Sequence, residues 1–212
     1  MHIPDGFLDA KVWTTMSVVT GGTAGYAIKQ VNQKLGERQI PLMGVMGAFI
    51  FAAQMINFPV AGGTSGHLLG SALAAILLGP WSAILVTTAN FIIQCLLFQD
   101  GGLTALGANV FNMGILGCLV GYGIYQAVRK MVGGDKGIVI GAGVAAWCSV
   151  MLAALGTSLA LAFSGTVPLN IVIAPMLSIH GIVGIGEAII TVAAIQYILK
   201  VRPDIIHDVP KV

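Results

Sequence analysis

Charged side chains are scarce in this sequence. Of its 212 residues, 8% are Asp, Glu, Lys or Arg and 57% are hydrophobic, whereas soluble domains carry about a quarter charged residues. Such a small charged fraction cannot cover the surface of a soluble protein of this length. The net charge of +2 is also too small to indicate a nucleic-acid partner. The sequence therefore predicts an integral membrane protein.

Other absences narrow the possible functions. The three cysteines, Cys95, Cys118 and Cys148, lie in apolar stretches without paired spacing, which argues against a disulfide framework or a thiolate metal site. The apolar runs do not alternate with polar residues as the strands of an outer-membrane barrel do. No G-x-x-x-x-G-K-[ST] phosphate loop is present, so any ATP hydrolysis must come from partner proteins. No organic cofactor is expected.

Long charge-free runs, divided by Gly and Pro, predict the membrane spans. A helix needs about 20 apolar residues to cross a bilayer, and Pro59 with Gly62-Gly63, Gly79-Pro80 and the stretch 164–168 divide the runs. The predicted spans are 12–29, 40–58, 66–79, 81–98, 104–128, 137–163 and 171–199. The third span is short, so a re-entrant hairpin is the alternative to a crossing.

The distribution of basic residues between the two sides of the membrane distinguishes six crossings from seven. With seven, nine of the ten Lys and Arg residues lie on one face and only Lys11 lies on the other. Cytoplasmic loops collect Lys and Arg, which favours seven spans with the amino terminus outside and the carboxyl terminus in the cytoplasm. The predicted fold class is thus a single all-α membrane domain. It has an extracellular tail over 1–11, a seven-helix bundle over 12–199 and a cytoplasmic tail over 200–212.

Small residues recur at four-residue spacing on the second predicted span. Gly44, Ala48 and Ala52 share one face, and such faces let helices approach closely in lipid. One interpretation is packing within the bundle. The other is docking of a second membrane subunit.

A few polar residues lie inside the apolar runs, where they are costly and therefore candidates for function. They are His67, His180, Glu187, Asn90, Gln94, Asn109 and Asn112. The amide pairs are interpreted first as interhelical hydrogen bonds. His180 and Glu187 share a helix face seven residues apart, as a structural pair or as gating groups.

His2 is the most informative residue. The Met1 amine, the backbone nitrogen of His2 and an imidazole nitrogen of His2 can chelate one ion through unstrained rings of five and six members. His67, predicted on the same side of the membrane, can supply a fourth nitrogen. Planar nitrogen ligation suits Ni(II) or Cu(II) rather than Ca²⁺, Mg²⁺ or tetrahedral Zn²⁺. The tail is expected to lie outside the bundle core and His67 at its rim, so changes to these residues should leave folding intact.

Two competing functions fit parts of the sequence. Gly63-Thr64-Ser65-Gly66, with His180 on a later span, is similar to the serine–histidine dyad of rhomboid intramembrane proteases, although this leaves the polar tail idle. The second competing function is a stand-alone ion-coupled metal carrier, in which His180 and Glu187 form a proton relay. Many such carriers are built from two repeated halves, and no such repeat is evident in this sequence.

Three motifs in order carry a family resemblance: MHIPDGFLD at the start, GGTSGHLLGSALAAILLGPW, and QDGGLTALGANVFNMG, with SIHGIVGIGEAII following. Together they resemble the substrate-binding membrane (S) component of nickel and cobalt energy-coupling factor transporters, the CbiM/NikM family. The resemblance implies a seven-helix bundle that captures Ni²⁺ or Co²⁺ as the transported substrate. It also implies that the amino-terminal segment folds into the bundle, with Met1, His2 and His67 as ligands. Planar ligation favours nickel. Ser65 and the polar residues named above are possible neighbours of the metal or gating groups.

The resemblance also implies partners. These are a membrane coupling subunit, two ATPase subunits and often a small accessory membrane subunit, in the plasma membrane of a prokaryotic cell. The chain itself is then a binding subunit and not an enzyme.

Overall fold

Helices dominate the architecture. The computed structural model describes residues 1–34, 36, 39–60 and 64–208, so Arg38, Gly62, Gly63 and Lys211 of the sequence predictions lie outside the described residues. Within those ranges there are seven helices and one 3₁₀ turn, Pro203–Ile205. The seven helices are α1 (Ala10–Lys34), α2 (Gln39–Gln54), α3 (Ser71–Leu78), α4 (Pro80–Phe98), α5 (Leu106–Val132), α6 (Gly134–Phe163) and α7 (Leu169–Val201).

Four of these helices, α4 to α7, are long and apolar enough to cross a membrane. Helix α2 is apolar but has only 16 residues. Helix α5 contains a π-helical segment, Val110–Leu116, and α7 continues through Pro175. The described residues therefore confirm a mostly helical, multi-pass membrane protein.

The third predicted span differs most from the prediction. Helix α3 begins at Ser71 rather than at 66 and has eight residues, all buried. Before it, β1 (Phe58–Val60) and β2 (Thr64–Gly66) form an antiparallel hairpin, so the prediction of purely α structure was incomplete. An eight-residue helix is only about 12 Å long. The extended residues 64–70 supply the rest of the path between the two ends of the bundle.

Hydrogen bonds at the helix ends reveal this path. Beyond the carboxyl end of α2, Asn57 donates to Asp100, which follows α4. At the other end of α4, the backbone N–H of His207 donates to the Ile76 carbonyl of α3. Since α4 is about 28 Å long, residues 64–78 connect opposite ends of the bundle, and α4 returns. The segment is thus not a hairpin that turns back to the end where it began.

Gly79 makes the sharp reversal between α3 and α4. Its φ of 79° lies in the left-handed region, and a Cβ there would lie 2.6 Å from the His207 ring. Pro80 then begins α4, where its missing N–H costs no helical hydrogen bond. The predicted break at Gly79-Pro80 is confirmed.

The two ends of the bundle differ in charge. Lys11 lies at the end that carries the amino-terminal tail, the β hairpin and the 99–105 and 164–168 loops. Basic residues at the opposite end include Arg129, Lys130, Lys200 and Arg202. The described residues thus have the charge asymmetry on which the predicted orientation rests.

Candidate metal centre

The amino-terminal tail enters the bundle. Met1 and Ile3 have no exposed surface, and His2 is 4% exposed. The expectation from the residues alone, that the tail lies outside the core, was therefore wrong; the tail folds into the bundle, as the family resemblance implied. The rim position expected for His67 was also wrong, since His67 is 1% exposed. Changes at these residues act on a packed part of the molecule.

Asn109 of α5 compensates for burying the tail backbone. The N–H of Ile3 donates to Asn109 Oδ1 at 2.8 Å, and Asn109 Nδ2 donates back to the Ile3 carbonyl at 3.1 Å. The same carbonyl accepts from the Gly102 N–H at 2.9 Å. A buried backbone group without such partners would cost the full loss of its hydration. A side chain far along the sequence thus allows the first residues to be buried.

Asp5 fixes the outer part of the tail. Its carboxylate accepts from the Leu103 N–H at 3.0 Å, from the Thr104 N–H at 2.7 Å and from the Thr104 hydroxyl at 2.5 Å. These bonds, the side-chain bond to Thr104 first, hold the pKa of Asp5 below its usual value. Gly102 permits the close approach, because a Cβ there would collide with the Asp5 backbone.

Ser65 of β2 contacts two of the predicted nitrogen donors. The Met1 amine donates to the Ser65 carbonyl and, at 3.1 Å, to Ser65 Oγ. The backbone N–H of His2 lies 3.4 Å from the same hydroxyl. Burial lowers the pKa of the Met1 amine from 8.0 to about 4, although the Asp100 charge opposes the shift. The amine is therefore neutral at physiological pH, as a metal ligand must be.

The imidazoles of His2 and His67 lie against each other. Their ring centroids are 4.7 Å apart, with 20° between the planes. His67 Nδ1 lies 2.7 Å from the Leu68 carbonyl, which assigns the proton to Nδ1 and leaves Nε2 as a lone-pair donor. Nε2 of each ring is buried without a hydrogen-bond partner in the structure.

His2 Nδ1, in contrast, faces a carboxylate. It lies 2.8 Å from Asp100 Oδ1, and the edge of Phe91 packs on the ring at a centroid distance of 5.5 Å. The six-membered chelate ring requires Nδ1, because only that nitrogen is separated from the backbone nitrogen by three carbons. Chelation therefore needs the His2 ring to turn from Asp100 toward the Met1 amine.

No three His, Cys, Asp or Glu side chains converge on one point within the described residues. The site predicted from the sequence is of a different kind, because two of its four donors are main-chain nitrogens.

Glu187 and Gln54 bind the segment that follows His67, and Gln94 holds Gln54. Glu187 accepts from the N–H groups of Leu69 and Gly70. Gln94 donates to Gln54 at 2.8 Å, and Gln54 donates to the Leu69 carbonyl at the same distance.

His180 and Glu187 do not form the expected pair. His180 Nδ1 lies 2.7 Å from the Met176 carbonyl, while its Nε2 is buried without a partner. Glu187 is occupied by Leu69 and Gly70. The proton relay of the carrier interpretation therefore lacks a direct link between these two groups.

The geometry also gives the protease interpretation no dyad. Ser65 Oγ accepts from the Met1 amine and the His2 N–H, and the described contacts of His180 are not with that hydroxyl.

Two predicted residues lie away from the site. Asn90 donates to the Gly47 carbonyl at 3.0 Å and braces α4 against α2, as the packing interpretation expected. Asn112 lies in the π-helical segment and lines a separate groove of about 450 Å³ beside Lys11 and Gly156.

The small-residue face of α2 points away from the core. Gly44, Ala48 and Ala52 are exposed, whereas Met46, Ile50 and Gln54 form the buried face. Gly44 and Ala48 line an open groove of about 620 Å³ between α2 and α4. The face is therefore free of bundle packing.

Sequence reasoning missed Asp100 and Gln54. Asp100 ends the longest charge-free run, and Gln54 is an amide near the end of an apolar helix. These two positions are visible in the sequence, but an aspartate or a glutamine at such a position does not indicate which group it contacts.

The described residues form a multi-pass helical bundle that buries the nitrogen donors of Met1, His2 and His67 at one end. The family model described as the cobalt uptake substrate-specific transmembrane region matches residues 2–205. The chain belongs to this family, CbiM, and the resemblance drawn from the sequence is confirmed.

Named relatives agree with this assignment. A putative metal transport protein of Haloquadratum walsbyi is 41% identical over 97% of this chain and 93% of its own length. A putative fused nickel transport protein, NikMN, of Archaeoglobus fulgidus is 39% identical over 98% of this chain and 68% of its own length.

Two solved structures share the fold of this chain. The crystal structure of a truncated transition metal transporter is 34% identical, with a TM-score of 0.88, over 94% of this chain and 99% of that one. The S component of a bacterial energy-coupling factor transporter shares the fold, with a TM-score of 0.56 at 17% identity over 77% of this chain and 96% of that one.

Proposed function

We propose that this protein captures Ni²⁺ or Co²⁺ for an ATP-driven uptake transporter of the energy-coupling factor type. One observation carries the proposal: the Met1 amine, the His2 backbone nitrogen and the His67 ring lie close together, on residues that are at most 4% exposed. The amine and the backbone nitrogen share Ser65 as a neighbour, and the two rings stack. The metal is the transported substrate.

The donor set selects the metal. The amine, the backbone nitrogen and Nδ1 of His2 form a chelate, and His67 Nε2 completes a plane. Ni(II) favours square-planar nitrogen ligation, and the Irving–Williams order places nickel above cobalt. Met1, Ile3 and Phe91 are all less than 2% exposed, so a bound ion exchanges its waters for the nitrogens of the donor set.

Energy must come from partner subunits. The partners are a membrane coupling subunit, two ATPase subunits and a small accessory membrane subunit, assembled in a prokaryotic plasma membrane. The name of the fused NikMN relative, of which this chain covers about two thirds, supports an accessory part that works beside this one. The exposed face of Gly44, Ala48 and Ala52 is the docking surface for the coupling subunit, since small residues there allow a partner helix to approach closely.

Calorimetry and absorption spectroscopy on the purified, untagged protein test this function. The expected result is one Ni²⁺ per chain, a weak d–d absorption band typical of square-planar nickel, and weaker binding of Co²⁺. His2→Ala and His67→Ala should each remove the band, while Asn90→Ala, which alters a buried amide outside the site, should keep it. Octahedral nickel spectra, or unchanged binding in both histidine variants, would contradict the proposal.

A further inference from the structure

The residues after His67 cross the interior without regular secondary structure. Leu68, Leu69 and Gly70 lie between β2 and α3, and Leu69 is fully buried. Backbone groups inside a membrane protein must find partners within the protein. These residues find theirs in side chains from two different helices.

Glu187 of α7 binds two successive N–H groups. Its Oε2 accepts from Leu69 at 2.5 Å and its Oε1 from Gly70 at 2.8 Å. From the other side, Gln54 Nε2 of α2 donates to the Leu69 carbonyl at 2.8 Å. Gln54 is held in turn by Gln94 of α4. Three helices thus fix one peptide segment.

A carboxylate is a costly way to satisfy two N–H groups. Glu187 is 3% exposed, and among the residues that the structure describes it has no ion-pair partner. A buried ionisable group in a membrane helix marks a function by default. A carboxylate also offers two acceptor oxygens, whereas a glutamine offers only one. The geometry at Leu69 and Gly70 uses both oxygens.

The clamped segment determines where His67 points. The clamp consists of Glu187 and Gln54, and the clamped segment is Leu68–Gly70. The His67 ring is hydrogen-bonded through Nδ1 to the Leu68 carbonyl, so the orientation of the ring depends on the peptide that the clamp fixes. We propose that Glu187 and Gln54 are positioning residues that hold His67 Nε2 at the fourth coordination position of the metal. This inference rests on the proposed function and adds the residues that preorganise its fourth ligand.

Glu187→Gln is the decisive variant, because it keeps the size of the side chain and removes one acceptor. Partners that orient a metal ligand typically contribute roughly 10- to 100-fold to metal affinity. Ni²⁺ affinity should fall by that range in Glu187→Gln, and Gln54→Leu should act in the same direction. The absorption band of the planar nickel site should also shift, since the fourth nitrogen is displaced.

Asn90→Ala is the matched control. Asn90, like Gln54, is a buried amide that donates to a backbone carbonyl between helices, but its partner Gly47 lies outside the clamped segment. The control should lower the unfolding temperature by as much as Glu187→Gln and leave nickel affinity unchanged. If nickel affinity instead follows the unfolding temperature across all three variants, the role is structural and the inference is wrong.

The His67→Ala background separates this inference from the proposed function. If Glu187 acts through His67, Glu187→Gln should weaken nickel binding no further in that background. Unchanged affinity in Glu187→Gln, alongside a large loss in His67→Ala, would overturn the positioning role and leave the metal site intact. Unchanged affinity in His67→Ala itself would overturn the metal site.

Discussion

At the scale of single residues, burial prepares the first two residues for a metal. A free amine is normally protonated at neutral pH, which would block its lone pair. Here burial lowers the pKa of the Met1 amine to about 4 and also lowers the pKa of His2, against the opposing hydrogen bond to Asp100. The folded protein therefore presents these nitrogens without first having to remove a proton from the amine.

This effect gives a pH prediction. Between pH 8.0 and about 4, the unfolded chain binds more protons at the amine than the folded protein does, so folding stability rises with pH across this window. Nickel binding should accordingly persist to lower pH in the protein than in a synthetic peptide of residues 1–9. Parallel nickel titrations down this pH range measure the difference. Loss of nickel at the same pH in both would show that burial does not tune the site.

The proposed chelate follows from the sequence alone, but the surroundings of its residues do not. Met1 and His2 are adjacent, so the ring sizes follow from covalent structure alone. Burial of the tail depends on Asn109, Gly102 and Thr104, about a hundred residues away. A polar, turn-prone start such as Met1–Gly6 gives no local sign of such contacts, so the residues alone predicted a tail outside the core, and only the family resemblance indicated that it folds into the bundle.

At the scale of elements, the amino-terminal tail, residues 1–9, is a strap that is hydrogen-bonded to two loops. Asp5 anchors it to the loop that follows α4, and Thr166 donates to the Phe7 carbonyl from the loop before α7. The strap keeps the Met1 amine at Ser65.

Asp5→Ala should loosen this strap. Three hydrogen bonds are lost at an exposed site, so the free energy of unfolding should fall by about 1 kcal/mol, and nickel should dissociate faster. Asp9→Ala is the control, because the Asp9 side chain accepts from the nearby Lys11 N–H. Thermal unfolding and nickel release by a chelator are the measurements. Equal release rates in the two variants would show that the strap does not retain the metal.

The short third helix shows where sequence patterns fail at this scale. The apolar run from Gly66 to Gly79 predicts a helix throughout, yet Gly70 has a φ of 74° and α3 begins only after it. Glu187 and Gln54 satisfy the backbone before that point. Because these partners come from α7 and α2, no local pattern in the third segment reveals the extended stretch.

The exposed small-residue face of helix α2 is the proposed docking surface for the coupling subunit. Gly44→Leu combined with Ala48→Leu should abolish assembly with the coupling subunit and leave nickel binding intact, because bulky side chains on this exposed face keep a partner helix at a distance. Gly186→Leu on α7 is the control, since a Cβ meets nothing within 4 Å at either glycine. Co-purification of the subunits measures assembly. A double variant that still assembles would place the docking surface elsewhere.

At the scale of the whole molecule, the proposed function separates metal capture from energy supply. The proposed metal site is buried, and the sequence contains no phosphate loop. Purified protein in liposomes should therefore bind nickel without sustained uptake, and uptake should appear when the coupling and ATPase subunits are added with ATP. Radioactive nickel accumulation measures this directly. Concentrative uptake by the chain alone would instead support an ion-coupled carrier.

The central claim is that the first nitrogen of the chain is a metal ligand. Adding one residue before Met1 keeps every side chain, converts the amine into an amide and shifts the chelate register. Calorimetric titration of Ni²⁺ into the extended protein, beside the native one, tests the claim most directly. The account predicts a large loss of affinity in the extended protein. Equal affinities would contradict it and leave only a histidine site at His67 or His180.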